Sequence, residues 1–248
     1  FRAVDGASLT LGQGENLGLV GESGCGKSTL ARAVLALEGL QAGEVSLLGR
    51  PFAPGAPAQM RRDVQVVFQD PYGSFDPRWT VVDLVAEPFH LLRPRPDRAE
   101  RRRRVEAMLE RVGLSASDAD KYPHEFSGGQ RQRLAIARAL ITEPKVVVLD
   151  EAVSALDVSV RARILDLLAE LSERLAVSCL FISHDLHVVR AITDRVMVMQ
   201  SGRIVEQGET EAVFAAPRHP YTRALLAAAP DLDRALAARA AATGAGAA

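Results

Sequence analysis

Gly21-Glu22-Ser23-Gly24-Cys25-Gly26-Lys27-Ser28 matches the pattern G-x-x-x-x-G-K-[ST] in full, with Thr29 directly after it. The apolar run Asn16–Val20 leads straight into it, and the helical pattern Lys27–Leu37 follows. A strand, a glycine-rich turn and a helix start in that order make an anion site. The glycines let backbone N–H groups turn toward phosphate oxygens, and the helix dipole favours negative charge there. In such a loop Lys27 reaches the β- and γ-phosphates and Ser28 ligates Mg2+. An accidental glycine-rich turn has no reason to sit between those two elements.

Working outward, a second element fits the first. Lys145-Val146-Val147-Val148-Leu149-Asp150-Glu151 is an apolar strand that ends in two adjacent carboxylates. Strands often end in an acidic residue, so the pair says little alone. Beside a phosphate loop, Asp150 is suited to hold Mg2+ and Glu151 to polarise an attacking water. A third element, Phe126-Ser127-Gly128-Gly129-Gln130, stands just before the helical pattern Arg131–Ile141. A second glycine-rich helix start is a second phosphate site. One chain with one nucleotide does not need two, which points to a head-to-tail pair of chains. Read by itself, Ser-Gly-Gly is also a common helix cap.

The rest of the chain sets the fold class. Val64–Phe68, Val146–Leu149 and Cys179–Ile182 are short, β-rich and apolar on both faces, as buried parallel strands are. Helical patterns at Lys27–Leu37, Arg131–Ile141 and Val160–Leu175 separate the strands. The alternation predicts an α/β fold with a parallel sheet. Ala7–Leu11 and Glu44–Leu48 read as strands of an N-terminal antiparallel β part, and Arg195–Met199 with Arg203–Glu206 as a hairpin turning at Ser201-Gly202. From Val81 to about Ser127 only helical periodicity is seen, including an amphipathic helix Arg98–Val112 whose Arg101–Arg104 reads as a solvated face. The expected division is 1–80, the first half of the core with the β part and the phosphate loop; 81–135, a helical insertion subdomain; 136–208, the second half of the core; and 209–248, a C-terminal extension ending in a disordered Ala240–Ala248.

Composition excludes several classes. The chain has 248 residues, a formal net charge of −1 and 48% hydrophobic residues. That charge gives no electrostatic case for a nucleic-acid binder, and no apolar run is long enough to span a bilayer. With only Cys25 and Cys179, a disulfide framework is not expected. The 30 basic residues are 27 arginines and 3 lysines, a bias read as GC-rich bacterial genome composition. The start at Phe1 reads as the loss of a true N-terminus.

Taken together, these motifs resemble the ATP-binding subunits of ABC transporters over nearly the whole chain. Gly21–Ser28 stands as the Walker A loop, Ser127–Gln130 as the signature and Val146–Glu151 as the Walker B strand with its glutamate. Three more elements follow the family's order. Gln69 matches the Q-loop glutamine, Ser154-Ala155-Leu156-Asp157 the D-loop, and His184 in Phe181-Ile182-Ser183-His184-Asp185 the switch histidine. The resemblance implies a P-loop NTPase (RecA-like) core, with ATP and Mg2+ as cofactors. It implies Lys27, Gln69, Glu151 and His184 as catalytic residues, and Ser28, Gln69 and Asp150 around the metal. Gly21, Glu22, Ser23, Gly24, Cys25, Gly26, Lys27, Ser28 and Thr29 would line one nucleotide; Ser127, Gly128, Gly129, Gln130 and Asp157 would face the nucleotide of a second subunit.

Asp70–Arg78, the sequence around the D-loop and His219-Pro220-Tyr221-Thr222-Arg223-Ala224-Leu225-Leu226 further resemble bacterial oligopeptide and dipeptide importer ATPases, a group that includes nickel and glutathione importers. The resemblance implies a second ATP-binding subunit (separate or fused), permease subunits, an extracytoplasmic binding protein acting indirectly, and a peripheral place on the cytoplasmic face of the inner membrane. Tyr72 and Phe75 would then meet the permease. Two other readings stay open here: a soluble ABC ATPase working on nucleic acid or ribosomes, and an importer of another small solute. The sequence departs from the family twice. The adenine-stacking aromatic lies some twenty or more positions before Walker A, and only twenty residues precede Gly21. The tail also lacks the cysteines that hold an iron–sulfur centre in many relatives.

Overall fold

The structure, a computed structural model, describes residues 2–70 and 72–228; Phe1, Pro71 and residues 229–248, with the expectation for Ala240–Ala248, lie outside the described residues. Strand β1 (Asn16–Val20) leads to helix α1 (Lys27–Val34), then to the two-residue strands β2 (Ser46–Leu47) and β3 (Arg50–Pro51), helix α2 (Ala58–Asp63) and strand β4 (Val64–Val67). Helices α3 (Val81–Val85), α4 (Arg98–Arg111) and α5 (Gly128–Leu140) come next, with short 3-10 turns between them. The chain continues through β5 (Val146–Asp150), α6 (Val158–Leu175), β6 (Ser178–Ser183), α7 (Leu186–Ile192), β7 (Arg195–Gln200), β8 (Arg203–Glu209), α8 (Thr210–Ala215) and α9 (Pro220–Ala228).

The main sheet runs β4-β5-β6-β1-β7-β8, parallel except where β8 turns back beside β7. Side chains alternate across it, and both faces are covered. Val147, Leu149, Cys179 and Phe181 join one core with α5, α6 and the helices of the 81–126 stretch. Val148, Leu180 and Ile182, one residue out of step, join Leu17, Leu19 and α1 in a second core. Both faces of β5 and β6 are therefore buried, which is why their sequences read as unbroken apolar runs. Burial also pushes the Cys179 thiol up to about 12, so it packs as a small apolar side chain.

Several expectations needed correction. Ala7–Leu11 is not a strand. Its alternate residues Ala7, Leu9 and Leu11 pack on the second core, but no described strand lies beside it to complete a ladder. The antiparallel part shrinks to β2 and β3, with Ser46 opposite Pro51 and Leu47 opposite Arg50. Phe68 leaves β4 and is 37% exposed. Helix α1 stops at Val34 instead of Leu37, because Ala36 turns to a left-handed φ of 53°. On α4 the exposed Arg102 and Arg103 agree with a solvated face, to which the structure adds pairing: Arg102 forks onto Asp120 at 2.6 and 2.8 Å, and the Arg104 guanidinium lies over the Phe89 ring at 4.5 Å.

Leu134, wholly buried on α5, sits where the helical stretch meets the sheet. Leu134→Ala should cost about 2–5 kcal/mol of unfolding free energy, as read by urea denaturation. A loss below about 1 kcal/mol would mean that the core collapses around the gap.

Candidate functional site

Parallel pairing gathers the expected residues at one edge. Val20 lies opposite Ser183, Val67 opposite Leu149 and Asp150 opposite Ile182. The carboxyl ends of β1, β4, β5 and β6 therefore release the phosphate loop, Gln69, Asp150-Glu151 and His184 on the same side, where open α/β sheets bind ligands.

The loop is tightly built. Gly26 caps α1 at φ 113°, and a side chain there would run into the Ala3 carbonyl. Lys27 is only 4% exposed, and its ammonium donates to the carbonyls of Gly21 (2.7 Å) and Glu22 (2.9 Å). The turn between β7 and β8 braces the loop, with Gly202 N–H donating to the Cys25 carbonyl at 2.8 Å. Ser23 and Gly24 are exposed, and Thr29 is half-buried on the first turn of α1.

Across from the loop, the Ser28 hydroxyl lies 3.5 Å from Asp150 Oδ1. Burial, and then the neighbouring Glu151 carboxylate, push Asp150 above the usual aspartate range; Ser28 and the Lys27 and Arg32 charges oppose that shift without reversing it. Glu151 adopts a left-handed φ of 51°, which costs a residue with a side chain roughly 1–2 kcal/mol. Three hydrogen bonds hold it there. Its N–H donates to the Ile182 carbonyl at 2.9 Å, and its carbonyl accepts from Ser154 N–H (3.1 Å) and Ser154 hydroxyl (2.9 Å). The turn aims the Glu151 carboxylate at His184, whose Nδ1 is 3.3 Å away. Gln69 is exposed just past β4.

The other expected residues serve local structure. Ser127 caps α5 reciprocally: its hydroxyl accepts from Gln130 N–H at 3.4 Å, and its own N–H donates to Gln130 Oε1 at 2.9 Å. Ser127, Gly128 and Gln130 are exposed, and Gly129 packs so close to Val160 of α6 that a side chain would collide with it. Asp157 caps α6, accepting from Val160 N–H at 3.0 Å. Phe75 is not free to meet a partner. It is buried, with the Arg138 guanidinium 5.1 Å from its ring centre, while Arg138 also donates to Ser74. Trp79, 42% exposed, lines a cleft of about 520 Å3 with Phe89, His90 and Arg101 instead.

Arg161 carries no motif signal, so sequence reading passed over it. It donates to Asp185 at 2.6 Å and to the Leu156 carbonyl at 3.1 Å, tying the 154–157 turn to the residue after His184.

Two adjacent carboxylates, one of them raised by burial, repel each other in the nucleotide-free protein. Asp150→Asn should therefore raise its melting temperature without nucleotide or Mg2+, as measured by thermal unfolding. An unchanged or lower value would contradict the repulsion.

Comparison with known proteins gives this geometry a family. The ABC transporter family model matches residues 4–154, and the model for the oligopeptide/dipeptide transporter C-terminal region matches residues 205–247. The chain is 50% identical over 236 residues to the oligopeptide transport ATP-binding protein OppF of Escherichia coli, covering 94% of this chain and 71% of that protein. It is 50% identical over 235 residues to the dipeptide transport ATP-binding protein DppF of Haemophilus influenzae, covering 94% and 72%. Among solved structures, the bacterial ABC transporter cassette MJ0796, determined as a dimer and in a post-hydrolysis state with ADP and Pi, superposes with a TM-score of 0.74 at 29% identity, covering 84% of this chain and 90% of that one. The chain belongs to the ABC transporter family, as one of its ATP-binding, ATP-hydrolysing subunits.

Proposed function

We propose that this subunit powers the import of oligopeptides or dipeptides, and that Glu151 is the base of its ATPase reaction. The supporting observation is the run of contacts along one sheet edge: Lys27 buried in its loop, Ser28 beside Asp150, and Glu151 aimed at His184. The substrate class rests on the named relatives and on the match of residues 205–247.

The reaction divides as follows. Lys27 shifts its ammonium from the loop carbonyls to the β- and γ-phosphates. Glu151 takes the proton of the water as its oxygen bonds to the γ-phosphorus and the bond to the bridging oxygen breaks, releasing ADP and phosphate. His184 holds the Glu151 carboxylate and reaches the γ-phosphate, and Gln69 orients the water. A hydroxyl and a carboxylate 3.5 Å apart, with the carboxylate's charge only partly compensated, suit a hydrated divalent cation. Ser28 and Asp150, with Gln69 nearby, would hold Mg2+, which neutralises phosphate charge when bound. A second subunit supplies its Ser127–Gln130 helix start and Asp157 turn to close the site. Residues 81–135 form the helical unit, and the cleft it shares with Trp79 receives the permease at the cytoplasmic face of the membrane.

Glu151→Gln should keep ATP affinity, lower hydrolysis by roughly 10²–10⁴-fold and trap a nucleotide-bound dimer in light scattering. Adding Ser127→Arg to that background should abolish the dimer. Near-normal turnover of Glu151→Gln rules it out as the base, and an undisturbed dimer removes the signature from the interface.

In cells, uptake of labelled oligopeptides should depend on this chain. Trp79→Ala should reduce that uptake while the purified subunit keeps its ATPase rate and melting temperature. Lost nickel or glutathione uptake with peptide uptake intact would reassign the substrate. Uptake unaffected by Trp79→Ala would move the permease contact elsewhere.

A further inference from the structure

The 219–226 stretch lies away in sequence from every residue assigned to the sheet edge. It opens α9, and its anchoring is specific. Glu206 on β8 accepts from both peptide groups ahead of the helix, Arg218 N–H at 2.7 Å and His219 N–H at 3.0 Å. His219 Nδ1 in turn accepts from Tyr221 N–H at 3.2 Å. Tyr221, Leu225 and Leu226 pack on a small core with Val20, Leu186 and Val198. A carboxylate on the sheet's edge strand thus fixes where α9 starts and where Tyr221 points.

Tyr221 points at the phosphate loop. Its hydroxyl accepts a hydrogen bond from Glu22 N–H at 3.0 Å, joining residues 199 apart in sequence. The carbonyl of the same residue accepts from Lys27 Nζ at 2.9 Å and from Cys25 N–H at 3.3 Å. Glu22 is therefore gripped on both sides. A phosphate loop has conflicting needs: its N–H groups must be available to an anion, yet its shape must be set before the anion arrives. Spending one N–H on a protein acceptor lets the others stay preorganised.

We propose that Tyr221 is a positioning residue of the nucleotide site, its hydroxyl holding the first turn of the phosphate loop in its anion-binding shape. The C-terminal segment thereby sets nucleotide affinity. The inference rests on the phosphate-binding role given to residues 21–28. Burial holds the Tyr221 phenol above its ordinary pKa.

Tyr221→Phe removes one oxygen and leaves the ring in its apolar contacts. Glu22 is exposed, so water can replace the lost acceptor and the fold is retained. In the full chain, the dissociation constants for ATP and ADP and the KM for ATP should rise about two- to tenfold, the range of one net hydrogen bond. The kcat should stay within about twofold, and the nucleotide-free melting temperature near wild type. Glu206→Gln, which weakens the anchor from the far side, should shift the affinities in the same direction. Lys27→Ala separates the two ideas. If it loses ATP binding while Tyr221→Phe binds ATP as wild type does, the positioning role is overturned and the loop assignment stands. If Lys27→Ala also binds normally, both fall. A Tyr221→Phe effect on kcat with unchanged affinity overturns the positioning role as well.

Discussion

Parallel pairing of β1 with β6 and β7 is the constraint on which the rest of this structure depends. Parallel strands point their carboxyl ends one way, so a loop leaving β1 must emerge beside whatever follows β6 and, one strand further, β5. Val20 opposite Ser183 and Asp150 opposite Ile182 fix that adjacency to a single residue step. The pairing is held because both faces of β5 and β6 are covered. One face belongs to the core under α5 and α6, the other to the core under α1. Slipping either strand by one residue would exchange those two sets of side chains.

That rigid edge lets the site carry strain. Hydrogen bonds to the Ile182 carbonyl and from Ser154 hold Glu151 in its left-handed backbone. The strain redirects the chain abruptly after Asp150, so two consecutive carboxylates face different partners: Asp150 meets Ser28, and Glu151 meets His184. Arg161 and Asp185 then bind the turn that follows Glu151 to the segment that carries His184. The Arg161 guanidinium contacts both the Leu156 carbonyl in that turn and Asp185 beside the histidine.

Much of this was legible in the sequence. The phosphate loop, the strand ending in Asp150-Glu151 and the capped Ser127–Gln130 helix start are local patterns whose spacing carries their geometry. Where the reading failed, distant partners decided. Ala7–Leu11 alternates like a strand, but a ladder needs a neighbour that alternation cannot supply. Phe75 and Trp79 look equally available in a loop sequence. Arg138, from a helix more than sixty residues away in the chain, covers one and leaves the other exposed.

The sequence by itself determined the motifs: a glycine-rich loop with its lysine, a carboxylate pair and a histidine, each written in contiguous residues because each depends on backbone geometry within a single turn. Only the tertiary structure decided which groups hold those motifs in place. Arg161 reaching across to Asp185, and Tyr221 reaching back 199 residues to Glu22, are single contacts between surfaces that meet only after the sheet has formed. Neither residue type nor spacing encodes such a meeting, because the distance it spans is set by packing.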